Sequence, residues 1–156
     1  MSIILGIDPG SRITGYGLIK KNKDKLIYIN SGCIETKIKD FPMRLKIIYS
    51  KISDIINTFK PTDCAIEKVF IARNINSALK LSYASSAVII SAINHNLSIF
   101  EYSNTKIKLV VGGIGIAKKI HIQNMVRIIL HLSDIPNQDA ADALAVAITH
   151  SRIIIN

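Results

Sequence analysis

The chain has 156 residues, 49% of them hydrophobic, and carries 20 lysines and arginines against 11 aspartates and glutamates, a net charge of +9. That length and apolar content predict a single domain over 1–156 with a sizeable core, and exclude a disordered chain. No apolar run approaches the roughly 18 residues of a membrane-spanning helix, and Asp8 and Pro9 interrupt the N-terminal run before a secretory signal takes shape.

Ser2 to Asp8 is an apolar run ending in a carboxylate, with Pro9-Gly10-Ser11 directly after it. Such a run predicts a strand buried on both faces, so the acid at its end points to a ligand. Residues 13–20 and 26–36 predict two more strands, joined as a hairpin through the polar stretch Lys20 to Lys25. Gly15, Gly17 and Gly32 weaken strand propensity there but allow a bulge or a close backbone approach. Asp40 and Pro42 mark a helix start. Leu45, Ile48, Tyr49, Ile52, Ile55, Ile56 and Phe59 give that helix one broad apolar face, and Lys60-Pro61-Thr62 stops it. Cys64 to Glu67 predicts a short buried strand, and a loop from Lys68 to Asn74 leads to a helix over about 76–94. Ser98 to Glu101 predicts another strand. Gly112 to Gly115 reads as a flexible loop before a helix over about 117–132, and Pro136-Asn137 opens a last helix over about 139–150. The order β-β-β-α-β-α-β-α-α predicts an α/β fold, a mixed sheet of about five strands with helices on its faces. Cys33 and Cys64 form no C-x-x-C pair and read as small buried residues of strands, which suits a reducing cytoplasm.

Four acids stand apart from the solvated charges. Asp8 and Glu67 each end a short apolar strand; if those two strands are neighbours and parallel, both side chains reach the same sheet edge. Asp139 and Asp142 lie three apart among alanines, so on a helix they share a face, and the small neighbours turn that face toward the sheet. Taken singly, Asp8 fits an Asx turn, Glu67 a surface strand end, and Asp139 a charge favoured at a helix N-terminus. Asp142, one turn further in, has no such account. Clustered carboxylates are costly to ionise together unless a cation neutralises them. An all-oxygen set without a His–Cys cluster suits Mg²⁺ or Mn²⁺, and two such ions about 3.5–4 Å apart promote in-line phosphoryl displacement. The other seven acids face 20 basic residues, a positive surround that suits a phosphodiester substrate.

The segments Ile3 to Gly17, Ser31 to Lys37, Ala65 to Phe70, Asn76 to Leu81 and Asp139 to His150 together resemble the RuvC family of bacterial Holliday-junction resolvases. The resemblance implies an RNase H-like fold and assigns Asp8, Glu67, Asp139 and Asp142 as four catalytic, metal-binding acids. It implies two Mg²⁺ ions per subunit, with Mn²⁺ as a substitute, and a homodimer whose two sites act on symmetric strands of four-way junction DNA. Each site would nick its strand and leave 5′-phosphate and 3′-hydroxyl ends, alongside the RuvA–RuvB branch-migration complex. By the same resemblance Phe70 stacks on bases near the junction. Lys108 and Lys119 lie near the scissile phosphate, with Lys119 assisting catalysis. Arg73 and Lys80 are candidate contacts to the DNA backbone. Two stretches depart from the family pattern. Ser82 to Ser86 stands where a Gly-Gln-x-Arg-Gly pattern is common, and Leu109 and Val110 replace polar residues, with Gly112 preceding Gly113. The departures spare the acids and bear on DNA grip, sequence preference and dimer packing.

Three other readings compete with this one. A junction-binding module without cleavage is disfavoured by the intact acids. A relative of the actin-like ATPases needs two lobes to enclose nucleotide, and 156 residues are too few. A related nuclease acting on RNA is separated only by its substrate.

Overall fold

The computed structural model describes residues 2–70 and 74–154. Three strands come first: β1 (Ser2–Asp8), β2 (Ile13–Asn22) and β3 (Lys25–Glu35). Helix α1 (Phe41–Phe59), strand β4 (Asp63–Glu67), helix α2 (Ile75–Asn94) and strand β5 (Ser98–Tyr102) follow. Helices α3 (Asn104–Gly112), α4 (Lys119–Ile129) and α5 (Gln138–Ile153) complete the order. The sheet runs β3-β2-β1-β4-β5. β2 is antiparallel to both β1 and β3, whereas β1, β4 and β5 are parallel. This is the mixed five-stranded, RNase H-like sheet expected.

Strand alternation sorts the core into two layers. Leu5, Ile7, Leu18, Cys64 and Ile66 pack with Ile48, Ile52 and Ile56 of α1 and with Ala84, Val88 and Ala92 of α2. Ile4, Ile19 and Ala65 point the other way, onto Ile107 and Val111 of α3, Ile122 and Val126 of α4, and Leu144 and Ile148 of α5. Helices therefore cover both faces. Among the described residues no helix is long and apolar enough to cross a membrane.

Most helix ends sit where the local signals place them. Lys60 closes α1 in the left-handed region, φ 52°, and its N–H donates to the Ile56 carbonyl. Asp40 occupies the N-cap of α1 but makes no side-chain cap bond. Several expectations need correction. Helix α3 was not foreseen, because nine residues with only Ile107 and Val111 buried show too little periodicity. Its caps carry the missed signal: Ser103 accepts from the Lys106 N–H, and Gly113 adopts φ 82°. Gly112 thus ends a helix rather than opening a loop, and α4 runs over Lys119–Ile129 rather than 117–132. Of the two uses open to the strand glycines, close approach rather than a bulge is the one seen: the β2–β3 irregularity falls between Leu18 and Ile19. Cys64 is buried but Cys33 is only half-buried, with its Sγ donating to Asn137 Oδ1 at 3.5 Å.

One buried histidine makes the fold sensitive to acid. His150 of α5 has no exposed surface. Its Nδ1 is hydrogen-bonded to the Tyr102 hydroxyl at 2.8 Å, and the Phe100 ring lies 4.3 Å away. Nε2 stands 3.5 Å from Asp63 Oδ2 without forming a hydrogen bond. Burial pushes the imidazole below its usual range, with Asp63 pulling the other way. The unfolded chain takes up this proton near pH 6.5, while the folded chain resists it. The stability contribution is therefore present above about pH 6.5 and lost as pH falls through the folded value. Thermal melting between pH 8 and 5 is expected to show a steeper acid-side decline for the parent than for His150→Gln. Parallel curves would refute this.

Candidate active site

The sheet brings the first two acids together. β1 and β4 run parallel with Ile7 beside Ile66, so the next residue on each strand, Asp8 and Glu67, ends at the same edge. The second pair arrives on α5, which lies almost on the backbone of β1 and β2. A Cβ on Gly6 would meet the Ala143 carbonyl oxygen and the Ala147 nitrogen, and one on Gly17 would enter the Leu144 side chain. A Cβ on Gly15 would sit on the Asp139 carbonyl oxygen. Gly15 is also the cross-strand partner of Asp8. The close approach expected of Gly15 and Gly17 is thus what carries the start of α5 to the acid edge. Asn137 caps that start, accepting from the Asp139 N–H at 2.9 Å and the Ala140 N–H at 3.4 Å. Asp139 lies in the first turn, where the helix dipole favours an acid.

Asp8, Glu67 and Asp142 line a cavity of about 200 Å³ together with Asn104, Lys108 and Lys119. The Asp8 carboxyl is pushed up from 3.8 to about 8, first by burial and then by Glu67, Asp142 and Asp139, with Lys119 opposing. Burial also raises Asp142, against the nearby Lys119 cation. Lys119 Nζ stands 3.6 Å from Asp142 Oδ2, and Asn104 Nδ2 donates to Glu67 Oε1 at 2.7 Å. Among the described residues no three Asp, Glu, His or Cys groups close tightly enough to enclose an ion. The four acids share one electrostatic field without converging on one point. Their chemistry fits hard divalent cations all the same. The donors are carboxylates only, and burial together with the neighbouring acids disfavours the charged form of Asp8, a cost that a bound cation would offset.

The other residues singled out in the sequence scatter more widely. Phe70, three residues past Glu67, is 81% exposed. Lys80 is exposed on α2, away from the cavity lining. Arg73 lies outside the described residues. Asn104 is the polar cavity residue that sequence reasoning missed, since its α3 segment showed no pattern. A larger groove of about 910 Å³ lies between the β2–β3 turn and the ends of α4 and α5. It sets Lys21, Lys23, Lys25 and Arg152 against the single acid Asp24, which is no donor set for a cation.

Comparison with known proteins gives consistent matches. The family model described as crossover junction endodeoxyribonuclease RuvC matches residues 4–150. Crossover junction endodeoxyribonuclease RuvC of Cronobacter sakazakii is 54% identical over 156 residues, spanning all of this chain and 90% of that protein. The protein of the same description from Baumannia cicadellinicola is 56% identical with the same coverage. Among solved structures, Thermus thermophilus RuvC in complex with a Holliday junction substrate superposes with a TM-score of 0.90 at 29% identity, covering 97% of this chain and 93% of that one. The yeast mitochondrial Holliday junction resolvase, at 15% identity and a TM-score of 0.66, shares the fold over 96% of this chain and 78% of its own.

Proposed function

The chain belongs to the RuvC family of crossover junction endodeoxyribonucleases, and from that premise we propose how its acid edge cuts a phosphodiester. The protein is an endonuclease that resolves four-way DNA junctions. The observation that carries the site is the convergence of Asp8, Glu67 and Asp142 on one cavity, with Asp139 felt electrostatically beside them. These four acids would hold the divalent cations, two Mg²⁺ per subunit with Mn²⁺ able to substitute. Bound there, the cations supply water activation and neutralise charge on the phosphodiester.

The protein's own groups do the rest. Lys119, at the first turn of α4 and paired with Asp142, is placed to offset negative charge developing on the phosphate. Lys108 adds positive potential from the same cavity wall. Phe70 offers an exposed ring for a base, a stacking contact of about 1–3 kcal/mol. Lys80 adds an exposed positive charge on α2, and the +9 charge makes DNA binding steeply salt-dependent; Arg73, outside the described residues, stays a candidate backbone contact by resemblance alone. One subunit carries one such site, so paired nicks require a homodimer. The exposed apolar row Ile75, Leu79, Tyr83 and Ile90 on α2 supports that reading. Action with the RuvA–RuvB complex in the cytoplasm completes the proposal, with 1–156 forming a single nuclease domain.

The test is a synthetic mobile four-way junction incubated with Mg²⁺, with nicks mapped on each strand. Symmetric paired nicks bearing 5′-phosphates are expected. Binding without cutting would favour a non-catalytic junction module, and preference for an RNA substrate would favour the RNA nuclease.

A further inference from the structure

Glu67 and Asn104 come from the ends of adjacent strands. Glu67 pairs with Tyr102 across β4 and β5, and the Lys68 N–H donates to the Tyr102 carbonyl at 2.8 Å. Two residues past Tyr102, Asn104 opens α3, whose first turn is held by the Ser103 cap. Asn104 is therefore fixed relative to Glu67 by backbone on both sides. Its amide Nδ2 donates to Glu67 Oε1 at 2.7 Å, well inside the 3.6 Å between Lys119 and Asp142.

A donor of this kind differs from the lysine beside Asp142. Lys119 brings a positive charge that a cation has to displace or tolerate. The Asn104 amide is neutral, so it restrains the carboxylate without cancelling the charge a cation needs. A carboxylate has two oxygens with about four lone-pair sites between them, and Asn104 occupies one. Resting on the reading of these acids as metal ligands, we propose that Asn104 is a positioning residue that orients Glu67 for divalent cation binding. Hydrogen bonds of this outer kind, when removed, typically weaken metal affinity by about 10–100-fold.

The experiment is a calorimetric titration of the full-length protein with Mn²⁺ alone, without DNA. It compares the parent, Glu67→Gln and Asn104→Leu, with thermal melting of each metal-free protein alongside. Asn104 is exposed, so its variant is expected to melt with the parent yet bind Mn²⁺ about tenfold or more weakly. Should Leu disturb folding, Asn104→Ala serves the same comparison. If Glu67→Gln weakens Mn²⁺ binding while the Asn104 variant binds like the parent, the positioning role is overturned and the metal site stands. If Glu67→Gln itself leaves Mn²⁺ binding unchanged, Glu67 is no ligand and both readings fall.

Discussion

Asp8→Asn is expected to reduce junction cleavage by about 10³-fold or more while leaving junction binding intact or improved. The loss follows from the position of Asp8 at the centre of the acid field, where it feels Glu67, Asp142 and Asp139 together. Charge stabilisation of several kcal/mol at a phosphoryl centre, at a factor of ten per 1.36 kcal/mol, sets the scale. Binding survives because asparagine keeps the size of Asp8 and can place no negative charge on a surface that meets phosphate. A gel assay of cleavage and a mobility shift on the same junction check both halves, and undiminished cutting would sink the assignment.

The same variant carries a stability signature of opposite sign. The unfolded chain releases the Asp8 proton near 3.8 and the folded one near 8. Folding is therefore favoured most below about pH 4, and this advantage is lost as pH rises through about 8. Asparagine does not ionise. In chelator, Asp8→Asn is expected to melt above the parent at pH 8 and together with it at pH 4. Added Mg²⁺ should stabilise the parent more than the variant, since a ligand that binds only the folded state raises its stability.

Gly15→Ala is the second large effect expected. Its Cβ would occupy the space of the Asp139 carbonyl oxygen, a backbone atom that has no rotamer with which to yield. The first turn of α5 has to shift, and Asp139 and Asp142 move with it. Overpacking of this kind costs about 1–3 kcal/mol, or about 2–4 °C of melting temperature per kcal/mol for a domain this size. A displacement of about 1 Å at a catalytic group costs on the order of 10² in rate, so cleavage falls further than stability does. Gly32→Ala is the control. Its Cβ meets the outer end of the Tyr16 ring, a side chain rather than backbone and remote from the acids, so near-parental cleavage is expected. Equal losses in the two variants would refute the packing argument.

What was legible in the residues was largely local. The apolar run into Asp8, the Lys20–Lys25 turn and the stop at Lys60 each depend on neighbours within a few positions, so the strands, the hairpin and the α1 terminus emerge where expected. The i, i+3 spacing of Asp139 and Asp142 likewise places them on one helix face. α3 escaped because its two buried residues define no period and its identity rests on two caps. Asn104, lying in that segment, escaped with it.

By itself the sequence determined the kinds of groups available: carboxylates ending apolar strands, an alanine-rich helix bearing two more, and a basic remainder suited to a phosphodiester. Only the tertiary structure decided that these groups meet. Asp8 reaches Glu67 through the parallel register of β1 and β4, and Asp139 arrives because Gly15 lets α5 rest against the β2 backbone. Local preference acts over a turn or a strand, whereas the site depends on packing between segments far apart in the chain.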